Sequence, residues 1–220
     1  ALSSAASDVY KRQVEKVGKV DLPAPDIFFG NDKMEVTDTD IYKSEQAFTQ
    51  GQMITVTGID NLNEWWIDPD FFEKQSDGAL KFLPINGDYR VTANAVLKYF
   101  SVMALKDGKP AKLQDDGTGA IWAIGKGIGK PSVTSSEVGW EPGKALCLAQ
   151  VASKKYQLTL KAGETLKTSG DPEVISFKFF HQNDWGGEFG NYASSILVEQ
   201  LKLADSGNLS LIHISEPTRL

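Results

Sequence analysis

The sequence is poor in cysteine, histidine and long hydrophobic runs, and each shortage excludes a class of protein. One cysteine, Cys147, stands among 220 residues, so no disulfide can form within the chain, and we expect this thiol to be a small buried side chain. No apolar run approaches the roughly 20 residues that a membrane-spanning helix needs. The formal net charge is −6, and no basic run is longer than Lys154-Lys155. A nucleic-acid groove requires clustered lysine and arginine, so we expect no nucleic-acid partner.

Motifs for catalysis and metal binding are equally scarce. The two histidines, His181 and His213, belong to no recognisable serine–histidine–aspartate motif. Asp184 and Glu188 are close in sequence, but a glycosidase holds two carboxyl groups about 5 Å or about 6.5–9.5 Å apart across a cleft, which a short loop does not provide. No complete calcium-binding loop is present. We therefore expect a protein that is not an enzyme and that needs no cofactor or metal.

One glycine-rich stretch imitates a nucleotide-binding loop. The letters "GKGIGKPS" cover residues 125–132 and follow a predicted strand. The full spacing of a dinucleotide-binding fingerprint is absent, and a helix cannot begin at Lys130-Pro131, so no helix N-terminus is offered to a phosphate. We expect these glycines to shape a loop instead.

The two ends of the sequence do not continue the pattern of the middle. The stretches "DVYKRQ" (residues 8–13) and "LSLIHISEPTRL" (residues 209–220) resemble adapter-derived peptides found at the ends of translated sequencing contigs. We therefore set aside residues 1–25, a suspected foreign peptide followed by a proline-rich linker, and residues 208–220. Natural frayed termini are the alternative. If the ends are foreign, the native N-terminus, with any leader or lipid-anchoring cysteine, is missing from this sequence.

The middle of the chain has the alternation and the turns of β-structure. "GQMITVTGI" (residues 51–59) alternates with a period of two, and "NGD" at Asn86–Asp88 is a hairpin-type turn. Glycine, aspartate and lysine accumulate between residues 106 and 119, where we place a domain boundary near Thr118. Several further strand-like segments follow, with no long helical pattern between them.

These signals predict an all-β protein of two tandem β-sandwich domains, either immunoglobulin-like or like a carbohydrate-binding module. Residues 26–118 form the first predicted domain and residues 119–207 the second. The second segment supplies only about five strands, where a closed sandwich usually has about seven. We therefore predict that the second domain is truncated at its C-terminus and leaves an unpaired edge.

The stretch "NEWWIDPDFF" (residues 63–72) predicts how aromatic residues divide between core and surface. Trp65 and Trp66 would face opposite sides of an extended segment, so one belongs to the core and the other to a surface or a domain contact. Asp68 can cap a short helical turn, and the two phenylalanines that follow, Phe71 and Phe72, can fill the core.

The stretch "FKFFHQNDWGGEFGNY" (residues 177–192) groups the side-chain types that bind sugars. Aromatic rings stack on the C–H faces of a sugar, while carboxylates, amides and amines hydrogen-bond to its hydroxyl groups. Gly186 and Gly187 follow Trp185; they permit positive φ and, because they have no side chains, they do not shield the ring. The alternative is a turn whose tryptophan folds back over the core. The candidate carbohydrate-binding residues are Trp185, Trp140, Lys178, Asn183, Asp184, Glu188 and Tyr192.

Two of these candidates leave a choice open. Lys178 lies on a strand with Phe177 and Phe179 on the opposite face, so it either binds a hydroxyl group beside Trp185 or belongs to an ordinary solvated face. Trp140 precedes a Glu-Pro-Gly turn. It either forms the second wall of a site with Trp185 or packs beneath the loop.

An ordered set of elements in the second half resembles the SusE/SusF-like outer-membrane lipoproteins, which belong to glycan-utilisation systems of gut-type Gram-negative bacteria. The order is a strand ending in glycine, a Gly-Trp pair, a strand with tyrosine, an "FKF" strand and a tryptophan-containing loop. The corresponding residues are Gly125, Gly139-Trp140, Tyr156, Phe177-Lys178-Phe179 and Trp185. The first half looks like the domain that precedes this one in relatives, so the resemblance covers about residues 26–207.

The resemblance implies a lipid-anchored β-sandwich protein at the bacterial cell surface, which holds polysaccharide near an outer-membrane glycan-transport complex. By analogy, the sugar platform would use the positions of Trp140, Trp185 and Lys178. We expect non-catalytic glycan binding that supports glycan uptake. The alternatives are a docking module of such a complex with no sugar site of its own and, less favoured, a glycoside hydrolase.

Overall fold

The computed structural model describes residues 25–171 and 174–189, together with the backbone of residues 209–210. The described chain is almost entirely antiparallel β-structure, as the sequence predicted. Its strands are β1 (Phe28–Phe29), β2 (Asp32–Lys33), β3 (Glu35–Asp38), β4 (Ile41–Phe48), β5 (Met53–Ile54), β6 (Val56–Thr57), β7 (Phe72–Lys74), β8 (Leu80–Phe82), β9 (Gly87–Asn94), β10 (Tyr99–Lys106), β11 (Lys109–Pro110), β12 (Trp122–Gly129), β13 (Glu137–Gly139), β14 (Leu146–Cys147), β15 (Ala149–Ala152), β16 (Lys155–Gln157), β17 (Ser176–Phe180) and β18 (Leu209–Ser210). Within this described part, helical structure consists of two 3-10 helices, η1 (Leu62–Glu64) and η2 (Pro142–Lys144), and the helix α1 (Val133–Ser136). None of the described helices has the length and hydropathy to cross a membrane.

The first domain is a sandwich with an aromatic core. Its larger layer is a five-stranded sheet in the order β11-β10-β9-β4-β3, and two three-stranded sheets, β2-β1-β6 and β5-β8-β7, pack against it. Phe82 stacks on Phe48 with ring centroids 4.8 Å apart, and Phe29 meets Phe100 edge-on at 5.3 Å. All four rings are buried, so the layers are joined by aromatic contacts as well as by aliphatic packing.

The second domain is organised around β12. This strand pairs with β13 and β14 along one edge and with β17 along the other, and β17 pairs in turn with β18. Strands β15 and β16 form a separate hairpin. Apart from the backbone of β18, the residues that would complete the predicted C-terminal edge lie outside the described chain, so its truncation remains a prediction.

The glycine-rich stretch at residues 125–132 is not the loop that we expected, because its first half belongs to β12. A Cβ atom on Gly125 would come within 2.3 Å of the backbone of Ser176 and of Phe177. Glycine is therefore required here because β12 and β17 approach closely. The helix α1 begins only at Val133, after the end of this stretch.

The segment from Asp68 to Phe72 forms a single turn rather than a helix. The amide groups of Phe71 and Phe72 donate to the carbonyl of Asp68 at 3.1 and 2.9 Å, and the side chain of Asp68 accepts from the amide of Asp70 at 3.0 Å. Phe71 and Phe72 are buried. The predicted capping by Asp68 and the predicted core positions of the phenylalanines are thus confirmed.

A buried ion cluster joins this turn to the second domain. The Lys130 ammonium group donates to both carboxylate oxygens of Asp68 at 2.9 and 2.8 Å and to Asp70 at 2.8 Å. The side chains of Lys130, Asp68 and Asp70 are only 6%, 7% and 0% exposed. Asp70 also accepts from the amide and hydroxyl groups of Thr159 at 2.7 and 2.6 Å and from Gln157 at 2.9 Å.

The two aspartates of this cluster respond differently to their surroundings. Burial raises the pKa of Asp68, and the nearby charge of Lys130 only partly opposes that change. Burial also acts to raise the pKa of Asp70, but Lys130 and the hydrogen bonds from Thr159 outweigh it and hold the pKa below its usual value. Asp70 is therefore the better-stabilised anion of the pair.

Further contacts make the two domains one packed unit. The amide of Ile85 donates to the carbonyl of Gln150 at 2.8 Å, and the indole of Trp122 donates to the carbonyl of Ala111 at 3.0 Å. Buried residues of both domains belong to a single hydrophobic cluster. A polar cluster and a shared core therefore fix the domain arrangement together.

Replacing Lys130 by methionine would leave Asp68 and Asp70 buried without their cation. We expect the free energy of unfolding, measured by urea denaturation, to fall by about 3–5 kcal/mol. The control is Lys81→Met, which removes an exposed ion pair with Glu73 and should cost less than about 1 kcal/mol. Equal losses in the two variants would contradict the assigned role of Lys130.

Cys147 should be chemically inert in the folded protein. It is buried, as predicted, and burial raises the pKa of its thiol to about 12. Because the thiolate is the reactive form, we expect no reaction with Ellman's reagent under native conditions and complete reaction after unfolding in guanidinium chloride. Rapid reaction of the native protein would show that the region around β14 opens.

Candidate functional site

The residues around Trp185 form the tip of a short hairpin that continues β17. The amide of Phe189 donates to the carbonyl of Phe179 at 2.9 Å, and the amide of His181 donates to the carbonyl of Gly187 at 2.7 Å. Residues 181–187 are thereby closed into a loop. Sequence reasoning identified this loop as the candidate site but did not predict the returning strand.

Local hydrogen bonds and the two glycines shape the loop. Gly186 and Gly187 have φ values of +83° and +66°, so both use the conformational freedom that the sequence predicted. The side chain of Gln182 donates to the carbonyl of Trp185 at 2.6 Å, and the amide of Trp185 donates to Asp184 at 2.7 Å. Gln182, which the sequence analysis did not select, is therefore the side chain that holds the backbone of Trp185.

The indole of Trp185 lies at the surface between two other aromatic rings. It is 50% exposed. It stacks on Trp140 with ring centroids 6.3 Å apart and an angle of 24° between the planes, and it meets Phe180 edge-on at 5.9 Å. We call the stacked pair of Trp140 and Trp185 the platform. Trp140 therefore lies beside the Trp185 ring in a nearly parallel orientation, while Trp185 as a residue stays half exposed to solvent.

This geometry decides between the two roles left open for Trp140. A sugar held between two parallel rings makes two contacts of about 3.5–4.0 Å, so the ring planes must be roughly 7–8 Å apart. The centroids of Trp140 and Trp185 are 6.3 Å apart, which leaves no room for a sugar. Trp140 is therefore not a second wall, and its partly buried ring instead packs on Trp185 and on the core.

Lys178 and Glu188 lie on the same face of the hairpin as the platform. Lys178 and Phe180 are two residues apart in β17, so their side chains point to the same side, and Phe180 contacts Trp185. The Lys178 ammonium group is 3.6 Å from a carboxylate oxygen of Glu188, whose side chain is 52% exposed. A cation and an anion therefore lie on the same side of the hairpin as Phe180, the residue that contacts Trp185.

The remaining candidate residues differ in their exposure and in their hydrogen bonds. Asn183 has a buried carbonyl oxygen, Oδ1, with no hydrogen-bond partner among the described residues. Asp184 is exposed, and one of its oxygens accepts from the amide of Trp185. Tyr192 lies outside the described residues. Within the described chain, no group of three or more histidine, cysteine, aspartate or glutamate residues is placed to hold a metal ion.

The structure also contains a cleft between the domains that sequence reasoning missed. It has a volume of about 620 Å³, and Trp66 and Lys130 are among its lining residues. The Lys130 ammonium group is 5.9 Å from the centre of the Trp66 ring.

Trp65 is buried and stacks on Phe100 at 4.6 Å, while Trp66 is partly exposed, so the two tryptophans divide as predicted. The adjacent tryptophans were the available signal for this cleft.

The hairpin geometry predicts that Gly187 cannot be replaced freely. An alanine there would have to keep a φ of +66° and place its Cβ 3.3 Å from the Cβ of His181. We expect Gly187→Ala to lower the free energy of unfolding by about 1–2 kcal/mol in urea titrations. Gly143→Ala is the control, because nothing lies within 4 Å of its added Cβ. A Gly187→Ala variant as stable as that control would contradict the described loop.

Comparison with protein families assigns both halves of the chain. Residues 2–113 match the model described as Domain of unknown function (DUF5125), and residues 116–217 match the model described as Domain of unknown function (DUF5121). Searches of curated proteins and of solved structures gave no match. The first match covers half of the sequence, and the second begins almost directly after it. The chain thus belongs to the DUF5125 family and carries a DUF5121 domain in tandem.

Proposed function

We propose that this chain is a non-catalytic glycan-binding protein whose platform of Trp140 and Trp185 stacks on a sugar ring. The observation that carries the proposal is the half-exposed indole of Trp185, supported from behind by Trp140 and from the side by Phe180. A ring held in this way presents a flat apolar surface to solvent without having to reorganise on binding. Sugars present a matching surface through their C–H groups.

Polar groups beside the ring supply hydrogen bonds to the hydroxyl groups. Lys178 can donate, and Glu188 and Asp184 can accept, because each carries a charged group at or near the hairpin surface. The Oδ1 of Asn183 is buried, so it can accept from a ligand hydroxyl only if the loop rearranges.

The site is shallow, so its affinity should be modest. One stacked ring contributes about 1–2 kcal/mol by analogy with aromatic pairs. With a few hydrogen bonds we expect a Kd of about 10 µM to 1 mM, which is roughly −4 to −7 kcal/mol. Polysaccharides compensate for such weakness by offering many equivalent sugar units.

The cellular setting that we propose follows from the resemblance of the second half to SusE/SusF-like lipoproteins. The full-length protein would be lipid-anchored at the outer membrane, exposed at the cell surface and placed near glycan-transport proteins. The tandem DUF5125 and DUF5121 domains are compatible with this assignment. Its role would be to retain polysaccharide for uptake.

Removing the indole of Trp185 should remove most of the binding. We expect Trp185→Ala to weaken retention by immobilised polysaccharide in affinity gel electrophoresis at least about tenfold, since the stacking surface is lost. The gels would contain amylopectin, xylan, galactomannan or mucin glycans. Leu97→Ala is the control, because Leu97 is an exposed apolar residue of the first domain, in the turn between β9 and β10.

Four outcomes are informative for the proposed function. Loss of binding in Trp185→Ala with full binding by Leu97→Ala supports the platform. Equal binding by the parent protein and Trp185→Ala contradicts it. Binding of transport-complex proteins that requires Trp185, without glycan binding by the parent, would instead assign the platform to docking. Release of sugar products during the assay would favour a hydrolase.

A further inference from the structure

The cleft between the domains plays no part in the platform, yet it has the size and lining of a ligand site. Its volume of about 620 Å³ falls within the range of about 300–1,000 Å³ that small-molecule sites occupy. One wall is the outer face of β10, where Tyr99, Ser101 and Met103 alternate with buried residues. The other wall is a segment of the second domain between Val133 and Cys147.

An aromatic surface lines one side of the cleft. Trp66 and Tyr99 form a parallel bridge, and the amide of Trp66 donates to the carbonyl of Lys98 at 2.8 Å. Residues paired in this way project to the same side of the sheet, and both side chains are partly exposed and line the cleft. The cleft therefore offers two adjacent rings to a ligand.

The charged groups of the cleft already have hydrogen-bond or ion-pair partners within the protein. The ammonium group of Lys130 is fully engaged by the carboxylates of Asp68 and Asp70. On the rim of the cleft, Glu141 pairs with Lys144 at 2.9 Å. Glu137 accepts from the amide of Gly127 at 2.9 Å. Hydroxyl groups, including those of Ser101 and Thr134, line the same space. Paired charges, hydroxyl groups and aromatic rings suit a neutral ligand rich in hydroxyl groups better than an ion.

A single loop connects this cleft with the platform. Gly139 and Glu141 line the cleft, while Trp140 between them stacks on Trp185. The platform and the cleft are therefore connected through consecutive residues of one loop. This arrangement favours an extended ligand over two unrelated small ones.

We propose that the interdomain cleft is a second saccharide subsite, in which Trp66 and Tyr99 stack on further sugar units of the glycan chain that the platform binds. This inference rests on the proposed function, because it takes the ligand class from the platform. It specifies that the ligand is an oligosaccharide or polysaccharide several units long. Affinity should accordingly increase with chain length until both subsites are filled.

The test uses the full chain and oligosaccharides of increasing length, prepared from whichever of amylopectin, xylan, galactomannan or mucin glycans the parent protein retains. Isothermal titration calorimetry gives the affinity for each length. We expect Trp66→Ala to weaken binding of the longest oligosaccharides about tenfold and to leave the shortest unaffected. The dependence of affinity on length should therefore become flat in this variant.

A second variant keeps the test valid if Trp66→Ala does not fold. Ser101→Phe fills the cleft from the outer face of β10 without touching the ion cluster, and it should have the same effect as Trp66→Ala. The matched control is Lys43→Phe, which is on the same face of the sheet and in the same row, two strands away through Thr92. Its affinities should equal those of the parent protein.

The outcomes separate this inference from the proposed function. Unchanged length dependence in Ser101→Phe, together with lost binding in Trp185→Ala, overturns the cleft subsite and leaves the platform intact. Binding that survives in Trp185→Ala but is lost in Ser101→Phe overturns the platform and leaves the cleft as the site. If the parent protein binds none of the four glycan types, both are overturned.

Discussion

The buried cluster of Lys130 with Asp68 and Asp70 is the interaction on which the arrangement of this protein depends. Lys130 follows β12, the central strand of the second domain, and the two aspartates belong to a turn of the first domain. Buried ion pairs often add little net stability over apolar replacements, but they penalise every arrangement in which one partner is left alone. The cluster therefore acts chiefly to select one orientation of the domains. That orientation brings the Trp66 side of the first domain next to the loop that carries Trp140.

Local sequence signals predicted much of the first domain. Alternation and turn residues indicated sheets, the adjacent tryptophans indicated a division between core and surface, and "DPDFF" indicated a capped turn that buries two phenylalanines. The ion cluster could not be found in this way, because Lys130 and Asp68 are 62 residues apart and nothing in either local sequence marks the other. The glycines of β12 were misassigned to a loop for a related reason. Glycine is required at position 125 because the backbone of β17, a strand that is distant in sequence, lies where a Cβ atom would be.

At the platform, the amino-acid composition predicted the exposed surroundings of Trp185, but it did not predict which residues contact the ring. The polar and glycine-rich surroundings of Trp185 indicated an exposed ring, and its exposure in the structure and the positive φ values of Gly186 and Gly187 agree with that. Sequence could not decide between a facing wall and a stacked partner for Trp140, because a separation of 6.3 Å between rings is set by tertiary packing. The cleft was missed entirely, since its walls come from segments that only the domain arrangement brings together.

Binding of a glycan to the exposed indole of Trp185 can be observed in the indole NMR signals of the five tryptophans. A protein labelled with ¹⁵N-tryptophan would be titrated with the oligosaccharides that it retains, after assignment of each signal by substitution. We expect the Nε1–H signals of Trp185 and Trp140 to shift, while the signal of Trp122, whose indole is buried and donates to the carbonyl of Ala111, does not move. A titration that reaches saturation while the Trp185 signal stays in place would contradict the account.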